Sequence, residues 1–285
     1  MQVGSDTWST ASAGGLHSVA VSSSGELYAA GYNAYGQLGQ NNRTASNVFA
    51  KIGSDTNWSK VAAGWGNTFA VKTDGTLWAF GSNQNGSLGI GLAANTERRS
   101  SPVQVGALTN WLQPSSAYNI TAVVKTNGQL WTWGMADYGQ LGLNDLFSRS
   151  SPVQVGALTN WAQVSVGSFG VTGAIKTDGT LWAWGRNNYG QIGSNQTTNK
   201  FSPVQIGSLT NWAYVSAGNG NMLAVKTDGT LWSWGSNSEG RGGTNDSPTI
   251  SRSSPVQVGI LTTWDKVAAS AVSNGSVHAI TRSDT

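Results

Sequence analysis

Cysteine is absent, histidine occurs twice, and only 10% of the 285 residues are charged, against about 25% in an average soluble domain. The first absence excludes disulfides and thiolate metal sites and leaves the redox compartment open. The second leaves His17 and His278 as the only imidazoles for metal binding or proton transfer. The third means that solubility must come from Ser, Thr, Asn, Gln and backbone amides. Sixteen bases against thirteen acids give a net charge of +3 with no basic tract, too thin for a nucleic-acid surface. No run approaches the roughly twenty apolar residues that cross a bilayer. Residues 1–20 lack the charged start and apolar core of a Sec-type signal peptide. No nucleic acid and no membrane insertion are therefore expected. Work outside a cell would require lysis, specialised export or a larger assembly.

What the chain has is a repeat. Trp8, Trp58, Trp111, Trp161, Trp212 and Trp264 are spaced 50, 53, 50, 51 and 52 residues apart, a period that implies a repeat architecture. Repeats run at about 8–57, 58–110, 111–160, 161–211, 212–263 and, in part, 264–285, within one domain over 1–285. Each carries four short segments of strand character, as in WSKVAA (58–63), TFAVKT (68–73), TLWAFG (76–81) and SPVQVG (101–106). Asp74-Gly75, Asn127-Gly128, Asp178-Gly179 and Asp228-Gly229 join the second and third segments, with Ser24-Gly25 as a weaker copy. Such pairs suit type I′ hairpins.

Thirteen of the fourteen tryptophans are in phase, and Trp65 alone is not. Trp131 and Trp133, Trp182 and Trp184, and Trp232 and Trp234 are each two apart and so share a strand face. They are expected to fill the gaps between sheets, as core rather than as a sugar platform. GQLG at 36–39 returns as GSLG, GQLG, GQIG and GRGG; without GK[ST] these are tight corners, not phosphate loops. Pro102, Pro152, Pro203 and Pro255 open the VQVG or VQIG segment, read as the outermost strand.

These phrases, among them AVKTDGTLWSWGSN and HSVAVSSSGELYAAGYNAYGQLG, resemble the repeats of the regulator of chromosome condensation family over essentially the whole chain. The resemblance implies a β-propeller of four-stranded blades, usually seven. It also implies a structural His at position 17. The residues themselves predict an all-β propeller of about six (six to seven) antiparallel blades, the last incomplete. Six anchor strands stand against five GxLWxWG strands. Met1, Gln2, Val3 and Gly4 match VQVG, so the seam at 1–8 and 276–285 is expected to be an assembly surface. The ring could close with one thin blade, be completed by another chain, or be a fragment with a weak seam.

No convergent acid, base and nucleophile are visible, and neither catalysis nor a cofactor is expected. His17 and His278 read as partly buried strand residues. Lys72, Lys125, Lys176 and Lys226 form a phased set, partly neutralised by the turn aspartates. Arg99, Arg149, Lys200 and Arg252 each stand just before the Ser-Pro, with Arg98 alongside. On one rim they would bind an acidic protein face or a surface glycan, or else bond loop carbonyls in their own blades. The variable loops (40–48, 90–100, 143–150, 194–201, 244–252) or the short loops of an opposite rim (64–67, 114–119, 167–172, 217–221) would carry the contact surface.

The family resemblance implies two precedents: guanine-nucleotide exchange on a small GTPase, and extracellular protein binding as in propeller-type β-lactamase inhibitor proteins. The even repeats and sparse acids fit exchange poorly. Near-identical repeats such as RSSPVQVGALTNW, twice over, indicate recent duplication. The reading reached is a non-enzymatic scaffold or recognition propeller with protein partners, homo- or hetero-oligomeric. It would serve in a phage particle or bacterial surface assembly, with a freestanding inhibitor-like propeller as the alternative.

Overall fold

The structure is a computed structural model. It describes residues 7–92, 97–245, 247, 250–269 and 278–281, the last four as backbone. Met1, Gln2 and Val3, with the rest of 1–6 and residues 276, 277 and 282–285 of the expected seam, lie outside the described residues.

Five four-stranded antiparallel sheets follow one another along the chain. The first holds β1 (Trp8–Ala13), β2 (His17–Ser22), β3 (Leu27–Gly31) and β4 (Ser46–Lys51). The second holds β5 (Trp58–Ala63), β6 (Asn67–Lys72), β7 (Leu77–Gly81) and β8 (Arg99–Gln104). In the third are β9 (Trp111–Ala117), β10 (Ile120–Lys125), β11 (Leu130–Gly134) and β12 (Arg149–Gln154). The fourth contains β13 (Trp161–Gly167), β14 (Val171–Lys176), β15 (Leu181–Gly185) and β16 (Lys200–Gln205). The fifth contains β17 (Trp212–Ala217), β18 (Asn221–Lys226), β19 (Leu231–Gly235) and β20 (Arg252–Gln257). A two-stranded sheet of β21 (Trp264–Ala268) and β22 (His278–Thr281) ends the series. The chain divides into two compact units, one carrying β1–β12 and the other the loop 136–147 with β13–β22.

Each sheet is a meander because its turn chemistry is repeated, but the turn differs from the type I′ expectation. Gly179 N–H bonds Lys176 C=O at 2.9 Å, and only Gly179 within that turn has a positive φ, +77°. This is a type I turn followed by a left-handed glycine. A Cβ on Gly179 would lie 2.1 Å from Thr210 O, so glycine is obligatory there. Asp178 acts through its side chain: Oδ1 accepts Thr180 N–H at 3.0 Å and the Thr180 hydroxyl at 2.6 Å. The same hydroxyl accepts Trp182 Nε1–H at 2.8 Å. Asp74-Gly75 with Thr76 and Trp78, and Asp228-Gly229 with Thr230 and Trp232, repeat the relay. Asn127-Gly128 keeps the turn with Gln129 in place of Thr.

The outer strands also begin earlier than expected. β8, β12, β16 and β20 start at Arg99, Arg149, Lys200 and Arg252, so these cations open the edge strand rather than preceding it. Pro102, Pro152, Pro203 and Pro255 fall inside the strand, not at its start. Gly134 pairs with Arg149 and Thr132 with Val153, leaving Ser150–Pro152 in a bulge on the edge where proline's missing N–H breaks no ladder bond.

The cores form between the faces of successive sheets within each unit. Val19, Val21, Leu27 and Ala29 pack with Trp58, Val61, Ala63 and Phe80. Phe69, Val71, Leu77 and Ala79 pack with Trp111, Val123 and Trp133. Val171, Ile175, Leu181 and Ala183 pack with Trp212, Val215, Met222 and Trp234. The tryptophan pairs share a face as expected, but only the second of each is fully buried. Trp133 and Trp184 are 0% and Trp234 2% exposed, whereas Trp131, Trp182 and Trp232 are half-buried. The outer ring lies over a lysine. Trp161 pairs with Lys176 across the strands, and the Lys176 ammonium stands 3.7 Å from Trp182 and 5.0 Å from Trp161. Lys72, Lys125 and Lys226 repeat this. Desolvation lowers the pKa of Lys125, Lys176 and Lys226, and each cation–π stack contributes on the order of 1–2 kcal/mol. The phased lysines are thus fastened chiefly by rings, although Lys72 also meets Asp55 at 2.7 Å.

Candidate recognition surface

Strand register decides which loops share an end. In the second sheet Ala63 faces Thr68, Asn67 faces Gly81, and Gly81 faces Arg99. The hairpin tip at 64–66 and the long loop between β7 and β8 therefore leave the same end of the sheet. The Asp-Gly turn and the link to the next sheet leave the other. All five four-stranded sheets repeat this order. The expected opposite rims are thus corrected: in each sheet the short tips and the variable loops emerge together. Three crossings of the sheet return the chain to the end where it turned first.

The long loop is held rigid by its own sequence. Gln140 Oε1 accepts Tyr138 N–H at 2.7 Å, and Gln140 C=O accepts Trp184 Nε1–H at 3.0 Å and the Thr172 hydroxyl at 2.8 Å. Gly142 lies flat against that indole; a Cβ there would be 2.7 Å from Trp184 Nε1. Asn187 braces the next loop, taking Ile192 N–H on Oδ1 and giving Nδ2–H to Gln196 and Thr198 carbonyls. The GQLG phrase is therefore a clamp for a tryptophan and not a phosphate cradle.

Arg99, Arg149, Lys200 and Arg252 take one register position in their sheets, and two of them are engaged locally. Arg99 pairs with Glu97, and Lys200 donates to Gln196 Oε1 at 2.8 Å. Arg149 and Arg252 sit opposite Gly134 and Gly235 in the same way. Arg98 differs: its guanidinium lies 4.6 Å from the Tyr35 ring and donates to Ala34 C=O at 3.3 Å. With Tyr35, Ser82, Asn83, Gln84 and Glu97 it lines a cleft of about 310 Å3.

Aromatic rings that no sequence motif had singled out stand at the same end. In the first unit Tyr32, Tyr35, Trp65 and Tyr118 follow one another at 6.0, 5.5 and 6.0 Å. In the second, the Arg186 guanidinium lies 4.6 Å from Tyr138 and 4.0 Å from Phe169, which stands 6.1 Å from Tyr189. The signal was present as YGQLG or YGQIG in three repeats and as an aromatic at three hairpin tips. Its meaning depended on the shared end.

Among the described residues no acid–base set gathers at this end. His17 is buried, more so than expected, and desolvation lowers its pKa to about 4. His278 lies in β22 opposite Ala268. Asp178 and Asp228 are held below the usual carboxylate range by the Thr180 and Thr230 hydroxyls and then by their N–H groups. At Asp74 the Thr76 N–H leads and its hydroxyl follows. Among the described residues no group of three or more His, Asp or Glu could hold a metal ion, and no helix is long and apolar enough to cross a membrane.

An RCC1-like domain model matches residues 3–285. The ultraviolet-B receptor UVR8 of Arabidopsis thaliana is 31% identical over 196 residues, 68% of this chain and 44% of that protein. RCC1 domain-containing protein RUG3, mitochondrial, of the same plant is 29% identical over 280 residues, 94% of this chain and 63% of that protein. This chain thus spans roughly half of the relatives' lengths. The solved structure of Prp20p from Saccharomyces cerevisiae, reported with its binding to Gsp1p and histones, superposes with a TM-score of 0.82. That likeness covers 97% of this chain and 69% of that one at 19% identity, and so bears on fold alone. Four-stranded meanders fastened by Trp, Asp-Gly and GQLG, in a chain matched from end to end, lead to one assignment: the protein belongs to the RCC1-like domain family of β-propellers.

Proposed function

We propose that this chain is a non-enzymatic recognition propeller that holds protein partners with the loops at the tip end of its sheets. The observation carrying the reading is the shared end: within every four-stranded sheet the hairpin tip and the longest loop leave by the same end, from a clamped core. Prp20p of similar fold is itself a protein that binds Gsp1p and histones. The finer reading is a single propeller of about six blades over 1–285, built into a phage particle or bacterial surface assembly. Low charge and the Gly, Ser, Thr and Asn content support it. A freestanding inhibitor-like propeller differs from this in setting rather than in mechanism. Guanine-nucleotide exchange ranks behind both. The described acids of the long loops are Glu97, Asp137, Asp145 and Glu239, and Glu97 is already taken by Arg99.

Loop 145–148 offers a test, since Phe147 is 72% and Leu146 48% exposed. Replacing these four residues by Gly-Ser-Gly-Ser should leave the circular dichroism spectrum unchanged and move Tm by no more than about 2–3 °C, as surface changes do. Proteins recovered with the chain from its native source should be lost. An unchanged partner set would count against the reading, and a collapse of Tm would assign the loop a structural task.

A further inference from the structure

The out-of-phase Trp65 belongs to an exposed strip that the core does not need. Tyr32 and Tyr118 are 41% and 38% exposed, and Tyr35 and Trp65 are half-buried. Successive rings are inclined at 68°, 47° and 52°. Rings so inclined stand as fins with grooves between them and offer no flat platform for a pyranose. Their spacing of 5.5–6.0 Å is close to the roughly 6 Å spanned by two residues of a polyproline II helix. That helix costs little entropy to bind, leaves its carbonyls free for phenol and indole donors, and inserts proline rings between aromatic ones. Arg98, stacked on Tyr35 at 4.6 Å, makes no ion pair among the described residues. Glu97 beside it is neutralised by Arg99. The strip is therefore aromatic, with one cation that no described acid offsets.

Resting on the protein-binding reading above, we infer that Tyr32, Tyr35, Trp65 and Tyr118, with Arg98, form a docking groove for an extended, proline-rich acidic segment of a partner protein. Aromatic fins supply the affinity and Arg98 selects for carboxylates.

The test uses the full chain and fluorescein-labelled (Pro-Pro-Glu)4, whose three-residue period puts every Glu on one edge. Fluorescence anisotropy should show saturable binding of this peptide, with (Pro-Pro-Lys)4 and (Gly-Gly-Glu)4 at least 10-fold weaker. Trp65→Ala should weaken binding at least 10-fold, and Arg98→Gln should remove most of its salt dependence. Should Trp65→Ala fail to fold, Tyr118→Ser serves the same purpose at a more exposed position. No binding by the wild-type chain would overturn the inference. So would equal binding of the three peptides, or indifference to both aromatic substitutions. Partners lost through the 145–148 replacement while the peptide is ignored would leave the protein-binding reading standing without this groove. Failure of both tests would remove both.

Discussion

Trp184→Ala is expected to destabilise the protein by about 3–5 kcal/mol, the usual cost of emptying a buried aromatic site, and a large share of a typical domain's stability of about 5–15 kcal/mol. The indole is 0% exposed, stands 6.1 Å from Trp161, and donates to Gln140 C=O at 3.0 Å. Its removal opens a cavity beside Trp161 and leaves Gly142, shaped to the ring, against nothing. Trp182→Ala, two residues away on the same face, should cost roughly half as much, because that ring is half-buried and its partner is the ammonium of Lys176 at 3.7 Å. Urea unfolding followed by far-UV circular dichroism measures both without relying on tryptophan fluorescence. Equal costs for the two would contradict the division into an inner and an outer ring.

The second large effect is a pH dependence traceable to one residue. Thr68 Oγ1 gives its proton to Gln37 C=O at 2.8 Å, so it can only accept from His17 Nε2, also at 2.8 Å. The hydrogen-bond network therefore assigns the proton of the neutral ring to Nε2. Nδ1 is buried without a partner, and protonating it would bury an unpaired charged donor. Burial accordingly lowers the pKa from 6.5 to about 4. Between those values the unfolded chain binds a proton that the folded chain refuses. Stability is thus full above pH 6.5 and is lost as pH falls towards 4, by up to about 3 kcal/mol. The turn carboxylates with lowered pKa lose their contributions at lower pH, below the ordinary carboxylate range. His17→Asn should flatten the profile between pH 6.5 and 4.5 in urea titrations, because Asn67 and Asn221 occupy the same register position opposite Gly81 and Gly235. An unchanged slope in the variant would place the titrating group elsewhere.

How far the sequence can be read here follows from which features are local. The anchor tryptophans, the Asp-Gly turns and the GQLG corners each act within a few residues, so their spacing revealed the five meanders. The type I turn was missed because Asp178 acts through Oδ1 on Thr180 rather than through a positive φ, and composition does not separate the two. The bulge that carries Pro152 is a register shift against Gly134, invisible without the partner strand. Tyr35, Trp65, Tyr118 and Arg186 were legible as residues but not as a surface. Within the first unit, Tyr35, Trp65 and Tyr118 meet from elements about 30 to 50 residues apart in the chain, and within the second Arg186 meets Tyr138 from about as far. Counting strand reversals would have shown that tips and long loops share an end.

The measurement closest to the central claim is site-specific photocrosslinking in the native setting, with benzoylphenylalanine at one end of the sheets or the other. Positions 118 and 147 replace Tyr118 and Phe147 at the tip end; positions 108 and 209 replace Leu108 and Leu209, both exposed, at the other. The account predicts that the tip-end positions capture partner proteins while 108 and 209 yield the uncrosslinked chain. Capture from 108 and 209 alone, or equally from both ends, would contradict it.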